Sequence, residues 1–397
     1  MKNNICFIVQ RYGLEVNGGA ELLTRQIAEK MQAYYDIDVL TSKAIDYQTW
    51  KNEYEKDEEN INGIHVKRFP VVHPRNATKF GRICRKSNYV NMSSDLEAQW
   101  LEEQGPYIPS LIDYLKNHKD DYAVFVFFTY LYYPTVAGVN IAPEKSIVVP
   151  FAHDEPFLKM RQISRVFTIP RALCFETEEE RALIRKEFNN FNVPYTMLGA
   201  GVDIPNNVSS ESFKKNYHLD HYIIYVGRID EGKNCHEMFD YFIKYKKQHP
   251  SELKLVLMGK PVIDIPKRED ILSLGFVSDE EKFNGISGAD FLLLPSKFES
   301  LSMVVLEAFQ LGVPVLVNGG CEVLRSHCIR SGGGYYYTSY YGFAGKTNQL
   351  LFHEDLRRSM GEKGLKYVQA NYNWEIICRN FKWLIDFVLN NTEKINL

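Results

Sequence analysis

Short apolar runs without polar interruption recur along the chain, each closed by turn-forming residues. They include Ile5-Cys6-Phe7-Ile8-Val9, Ala123-Val124-Phe125-Val126-Phe127-Phe128, Ser146-Ile147-Val148-Val149-Pro150, Leu253-Lys254-Leu255-Val256-Leu257-Met258 and Phe291-Leu292-Leu293-Leu294. Runs of this kind read as strands covered on both faces, as in a parallel sheet. Asp38 to Thr41 and Asn62 to Pro70 read as the second and third strands, with an acidic surface run (Glu53, Glu55, Asp57, Glu58, Glu59) before the third. Helical patterning fills the intervals: Asn17, a candidate N-cap, opens a helix to about Met31, and Ser94 to Leu115 is mostly helical with a break at Gly105-Pro106. Arg171 to Glu178 reads as a strand and the start of a helix, and Ser331 to Tyr335 as a turn before a strand. Asn373 starts a helix through Val388, with Ile377, Phe381, Leu384, Ile385 and Val388 at helical spacing. The fold class expected is α/β, with the polar stretch Asn206 to Asn216 as a linker between two domains.

The segment from Ala289 to Val317 concentrates the chemistry. A strand ends at Pro295-Ser296, a polar loop follows, and an apolar helix from about Met303 stops at Leu311-Gly312 before the strand Val313 to Val317. In such a strand-helix-strand unit a ligand sits beyond the carboxyl end of the first strand, where the helix N-terminus offers N–H groups to an anion. Glu299 lies in the loop and Glu307 in the helix, where only Glu307 and Gln310 share a polar stripe. Either that stripe faces water, or Glu307 is partly buried and accepts hydrogen bonds from the paired hydroxyls of a ribose.

Three other places carry candidate residues. Gly18 and Gly19 follow the first strand and let the first-turn N–H groups be approached closely, although the same glycines serve a simple chain reversal equally well. His153-Asp154 follows the strand 146–150. Tyr222 to Asn234 is a strand delivering Arg228 and Lys233 into a glycine-containing loop, which suits a diphosphate because Arg pairs bidentately and Lys supplies a compact charge; alone, two surface cations satisfy the pattern. No G-x-G-x-x-G is present, which argues against a dinucleotide dehydrogenase.

Composition narrows the class further. The 397 residues are 45% hydrophobic and 24% charged, so about two globular domains are expected. No apolar run reaches the ~20 residues of a membrane span, and Met1-Lys2-Asn3-Asn4 leads into a strand without a signal-peptide pattern, so a cytoplasmic protein is expected. Seven scattered cysteines with no C-x2-C point to free thiols rather than disulfides or zinc. The interval from Gly63 to Ser94 has no acidic residue and carries Lys67, Arg68, Arg75, Lys79, Arg82, Arg85 and Lys86. This basic run, 67–86, is either a solvated face or a patch for an anionic acceptor or a membrane surface, which would place the protein peripherally on a membrane. The formal net charge of −3 disfavours nucleic acid.

Phe298 to Ala308, followed by Gly312-Val313-Pro314-Val315, resembles the E-x7-E segment of family 4 retaining glycosyltransferases (glycosyltransferases group 1). Gly227-Arg228 to Lys233 is similar to their G-R-x4-K signature, Asn17 to Glu21 to their first loop, His153-Asp154 to their histidine site, and Leu198 to Pro205 to the segment closing their first domain. Gly259-Lys260-Pro261 departs from the family's G-x-G-P. The resemblance implies the GT-B fold, two Rossmann-like domains facing one cleft: residues 1–205 for the acceptor, 217–374 for the nucleotide-sugar donor, and 375–397 as a helix crossing back. It implies a metal-independent hexosyltransferase-like enzyme without cofactor that uses a UDP- or GDP-sugar in polysaccharide or glycolipid synthesis. Its catalytic residues would be His153, Glu299, Arg228 and Lys233. Its donor contacts would be Gly18, Gly19, Arg228, Lys233, Phe276, Val277, Glu299, Leu301, Ser302, Met303 and Glu307. A GT-B sugar-nucleotide epimerase and a non-catalytic sugar-binding partner subunit are the alternatives.

Overall fold

The structure, a computed structural model, describes residues 3–16, 18–86 and 89–391, without the side chain of Lys86. It forms two compact units, one of residues 1–199 with the segment from Ile377 onward, the other of Ala200–Ile376.

The first unit is built on an eight-stranded sheet of β1 (Asn4–Ile8), β2 (Asp36–Ser42), β3 (Glu58–Ile61), β4 (Ile64–Phe69), β5 (Val124–Phe128), β6 (Ser146–Val149), β7 (Ala172–Phe175) and β8 (Tyr195–Met197). The spatial order is β3-β4-β2-β1-β5-β6-β7-β8, parallel except for β3 against β4. Strands β5, β6 and β7 are buried along their whole length, as their uninterrupted apolar sequence requires. Its helices are α1 (Gly19–Met31), α2 (Ala77–Lys86), α3 (Ser94–Gln104), α4 (Pro109–Asn117), α5 (Tyr133–Gly138), α6 (Arg161–Thr168) and α7 (Glu178–Phe188).

The second unit has helices α8 (Ser210–Tyr217), α9 (Cys235–Gln248), α10 (Asp279–Ser287), α11 (Met303–Gln310), α12 (Glu322–Ser331), α13 (Tyr340–Phe352) and α14 (Glu354–Asn371). They accompany a six-stranded parallel sheet of β9 (Tyr222–Val226), β10 (Lys254–Met258), β11 (Ile271–Ser273), β12 (Phe291–Leu294), β13 (Val315–Asn318) and β14 (Gly334–Tyr337), in the order β11-β10-β9-β12-β13-β14. The last helix, α15 (Trp374–Asn390), buries Ile377, Phe381, Leu384, Ile385 and Val388, and the Phe381 ring lies 6.1 Å from that of Phe7 in β1. Among the described residues no helix is long and apolar enough to cross a membrane.

Three expectations are corrected, and the basic run resolves into its contacts. The acidic run before β4 holds a strand, because Asn62 and Gly63 both have positive φ (51° and 89°) and form a two-residue hairpin that folds Glu58–Ile61 back antiparallel. The stretch 206–216 is no linker: Ser209 caps α8 through the Ser212 N–H, and Phe213 is buried. Asn17, the proposed cap of α1, lies outside the described residues, and the cap position is Gly18, without a side-chain bond. The basic run is largely consumed internally. Lys67 pairs with Glu58, Arg68 with Glu59 and Lys79 with Glu103, while the Arg75 guanidinium donates to the carbonyls of Glu103 and Gln104. Arg82 and Arg85 stay exposed on α2.

Helix α11 is seated by glycines. Gly312, with φ +70°, ends it, and a Cβ on Gly361 of α14 would stand 1.9 Å from the Gly312 carbonyl oxygen. We predict that Gly361→Ala lowers unfolding free energy by about 1–3 kcal/mol through overpacking, despite about 1 kcal/mol of better helix propensity. A denaturation midpoint equal to or above that of the parent would contradict this close approach.

Candidate functional site

In the second unit the strand order runs outward in both directions from β9, so the loops leaving β9 and β12 diverge at a topological switch point. The first loop begins at Gly227, with φ +149°, opposite Gly259, whose Cβ would meet the Gly227 carbonyl at 1.9 Å. The two strand ends therefore abut, and Arg228 emerges beside them, exposed and 3.5 Å from Asp230 Oδ2. Asp230 Oδ1 accepts the Lys233 N–H at 2.7 Å, and the Tyr225 hydroxyl donates to the Arg228 carbonyl at 2.5 Å. These bonds turn Lys233 back across the switch point. Its ammonium meets Glu299 Oε1, from the loop after β12, at 2.6 Å. Asn234 and Asn318 both donate to the Pro295 carbonyl, at 3.2 and 3.1 Å, tying the loops after β9, β12 and β13 together.

Helix α11 starts beside this pair. Ser302 occupies its cap position in a left-handed conformation (φ +68°) and makes no side-chain cap bond; the N–H groups at Met303 and Val304, in the first turn, have no intrahelical acceptor. The Leu301 carbonyl is held at 2.8 Å by His327 Nε2, whose other ring nitrogen lies 3.2 Å from the Tyr367 hydroxyl. Buried Ser296 and Ser302 present hydroxyls without a hydrogen-bond partner among the described residues. Glu307 does not face water: it is 7% exposed, and its Oε1 accepts Lys282 Nζ from α10 at 2.9 Å. Burial alone would lower the Lys282 ammonium, but Glu307 and then Asp279 raise it above the ordinary lysine value. Phe276 is exposed and Val277 half-buried in the loop after β11. Lys282, Asp230 and His327 escaped the sequence reading. Lys282 alone left a signal, as a cation in an otherwise acidic helix start.

The first unit repeats the arrangement. Its order reverses between β1 and β5, and the loops after these strands carry the glycines and Thr129. A Cβ on Gly18 would stand 2.1 Å from Glu21 Oε2, whereas Gly19 has open space. Glu21 is buried and accepts from Gln10 Nε2 (2.8 Å), Arg11 Nε (2.9 Å) and Arg11 Nη2 (2.6 Å). Gln10 Oε1 in turn accepts the Thr129 hydroxyl at 2.6 Å, joining the two loops at the switch point. His153, after β6, is half-buried with Nε2 3.5 Å from Glu155 Oε2, and the Tyr130 hydroxyl donates to Glu155 Oε1. Behind it lie two carboxyls that the sequence reading passed over, Glu176 and Glu180, each 2% exposed. Burial, then the charge of Glu180, pushes Glu176 well above the carboxylate range. Burial lifts Glu180 to about 8 against the opposing pull of the Glu176 and Ala152 N–H groups and of His153.

A carboxyl whose folded value is raised contributes stability that is complete below its unfolded value, about 4.3, and lost as pH rises through the folded value, about 8 for Glu180. We predict that Glu180→Gln removes part of the decline in unfolding free energy between these limits, by up to about 1.4 kcal/mol per pH unit. Denaturant titrations from pH 5 to 8 giving identical slopes for parent and variant would contradict the shift.

Comparison with known proteins bears on the fold and on the second unit. Residues 209–367 match the family model "Glycosyl transferases group 1". The capsular polysaccharide biosynthesis glycosyltransferase CapM of Staphylococcus aureus is 23% identical over 207 residues, 48% of this chain and 52% of that one. The chain spans between about a quarter and a half of the length of the curated relatives it matches. Among solved structures, sucrose-phosphate synthase from Thermosynechococcus elongatus superposes with a TM-score of 0.72 at 15% identity, covering 98% of this chain and 100% of that one. Anabaena HepE in complex with UDP and glucose superposes with 0.70 at 14% identity, covering 97% and 100%. The chain thus has the two parallel-sheet units of the GT-B fold, and its residues 209–367 are a glycosyl transferases group 1 domain.

Proposed function

We propose that the chain is a retaining glycosyltransferase of the family 4 type, moving a sugar from a nucleoside diphosphate sugar to an acceptor hydroxyl in polysaccharide or glycolipid synthesis. The observation that carries this reading is the Lys233–Glu299 pair, 2.6 Å apart, set between Arg228 and the N-terminus of α11. Cations and helix N–H groups match the negative charge that develops on a leaving diphosphate. The matched domain and the name of CapM support the same class.

In this reading Arg228 and Lys233, with N–H groups near Leu301, Ser302 and Met303, neutralise the diphosphate in place of a divalent metal. Glu299, already oriented by Lys233, binds hydroxyls of the donor sugar. Glu307 has one oxygen held by Lys282 and directs the other to the ribose diol. Backbone near Phe276 and Val277 meets the base, of a UDP- or GDP-sugar. Gly18 and Gly19 admit the donor closely to α1, and His153 serves the anomeric carbon. The bond from that carbon to the phosphate oxygen breaks, the bond to the acceptor oxygen forms on the same face, and the acceptor's proton passes to the leaving phosphate. The exposed Arg82 and Arg85 of α2 suit an anionic, lipid-linked acceptor at a membrane surface.

Two outcomes test these roles. Lys233→Ala is expected to reduce turnover by roughly two to three orders of magnitude, since it removes a fixed donor to the leaving group, while transfer by the parent persists in chelator. Activity that vanishes in chelator, returns with magnesium or manganese and survives Lys233→Ala would reject the cationic clamp. Glu307→Gln, which keeps the volume beside Lys282, is expected to weaken nucleoside diphosphate binding by about 1.5–3 kcal/mol, measured by calorimetry with UDP and GDP. Undiminished affinity for whichever of the two binds the parent would remove Glu307 from the ribose.

A further inference from the structure

The loop carrying His153 leaves the sheet after Val149, beyond the reach of strand pairing. Phe151 within it is left-handed, with φ +54°, a conformation disfavoured for a residue with a Cβ and kept only where surroundings impose it. Beside it the Pro150 carbonyl accepts the Tyr130 N–H at 3.0 Å, and a buried carboxyl, Glu180, holds the other side. Its Oε1 accepts the N–H of Ala152, between Phe151 and His153, at 2.5 Å, and its Oε2 accepts the N–H of Glu176, just past β7, at 2.6 Å. Its own N–H is capped at 3.2 Å by Thr177 Oγ1, so the carboxyl is fixed in the first turn of α7. One buried side chain therefore fastens the ends of two neighbouring strands to one helix start. Glu176 contributes only its backbone, since neither of its carboxyl oxygens has a hydrogen-bond partner among the described residues. The His153 ring has a separate contact, Glu155.

We propose that Glu180 is a positioning residue for His153: it sets the backbone from which the imidazole projects and governs the rate of transfer through His153, without touching the nucleotide. The inference rests on the transfer reading given above. The ring meets Glu155 at 3.5 Å, while Glu180 holds the backbone on which it is mounted.

The experiment compares the parent with Glu180→Gln, Glu180→Ala, His153→Ala and the Glu180→Ala/His153→Ala double variant. Steady-state transfer from the nucleotide sugar that the parent accepts is read together with calorimetric binding of the nucleoside diphosphate and hydrogen exchange of the segment 150–156. Glu180→Ala is expected to lower kcat about ten- to a hundredfold, the scale of a misplaced reacting group, with nucleotide affinity unchanged. Glu180→Gln, which keeps one acceptor, is expected to lose less and to carry the test if the alanine variant fails to fold. In the His153→Ala background the loss of Glu180 is expected to have no further effect on kcat, because the two act as a unit. Exchange across 150–156 is expected to quicken in both Glu180 variants. Unchanged exchange, full kcat in both variants, or additive losses in the double variant would each overturn the proposal. A parent inactive with every donor and acceptor would reject the transfer reading instead, and the exchange measurement would still decide whether Glu180 holds the loop.

Discussion

The order of strands in each sheet runs outward in two directions from its first strand, β1 in one unit and β9 in the other. A right-handed connection can leave such a strand on either side only by sending successive loops apart, which opens a crevice at its carboxyl end. The side-chain contacts that join neighbouring loops lie where that reversal puts them. In the second unit the crevice is bounded by the loops bearing Lys233 and Glu299, in the first by those bearing Gln10 and Thr129. Both pairs are joined by a side-chain contact across the gap, so contacts within the protein itself hold the two loops of each crevice together. Preorganisation of that kind spares the ligand the cost of ordering the loops it contacts.

Carboxylates are buried at four places near these crevices, and each is treated differently. Glu21 takes three donors from Arg11 and Gln10 on one oxygen, Glu307 is held at one oxygen by Lys282, Glu180 is bonded to backbone at both, and the Glu176 carboxyl has no hydrogen-bond partner among the described residues. Ion pairs removed from water contribute little net stability, because desolvation offsets their attraction. Their usefulness lies in placement. A carboxyl with both oxygens bonded to backbone N–H groups shapes backbone, as Glu180 does at Ala152 and Glu176, whereas one with an oxygen to spare can receive a hydroxyl.

The sequence announced the strands well, because parallel strands covered on both faces must be continuously apolar, and β5, β6, β9 and β12 are. Glycines at strand ends and the cations between them were legible for a similar reason: few residue types tolerate those positions. Hidden from it were features made by distance along the chain. Lys282 and Glu307 are 25 residues apart, Glu180 and Ala152 28, and no local period relates them. The hairpin at Asn62-Gly63 was overlooked for another cause, since the acidic character of Glu58–Ile61 outweighed a turn signal that the dipeptide states plainly. The polar stretch before β9 misled likewise: its single apolar anchor, Phe213, suffices for a two-turn helix.

The return of α15 gives the chain an order of assembly. The first unit comprises residues 1–199 and the segment from Ile377, so the second is an insertion within it, contiguous in sequence. A chain synthesised from its N-terminus completes the inserted unit while the first still lacks the helix that covers Phe7. Until that helix emerges, the first unit keeps an apolar face uncovered, the place where Phe381, Leu384 and Ile385 will lie. The unit begun first on the ribosome is thus the last to be finished, and its closure is the step at which a chaperone would find hydrophobic surface to hold.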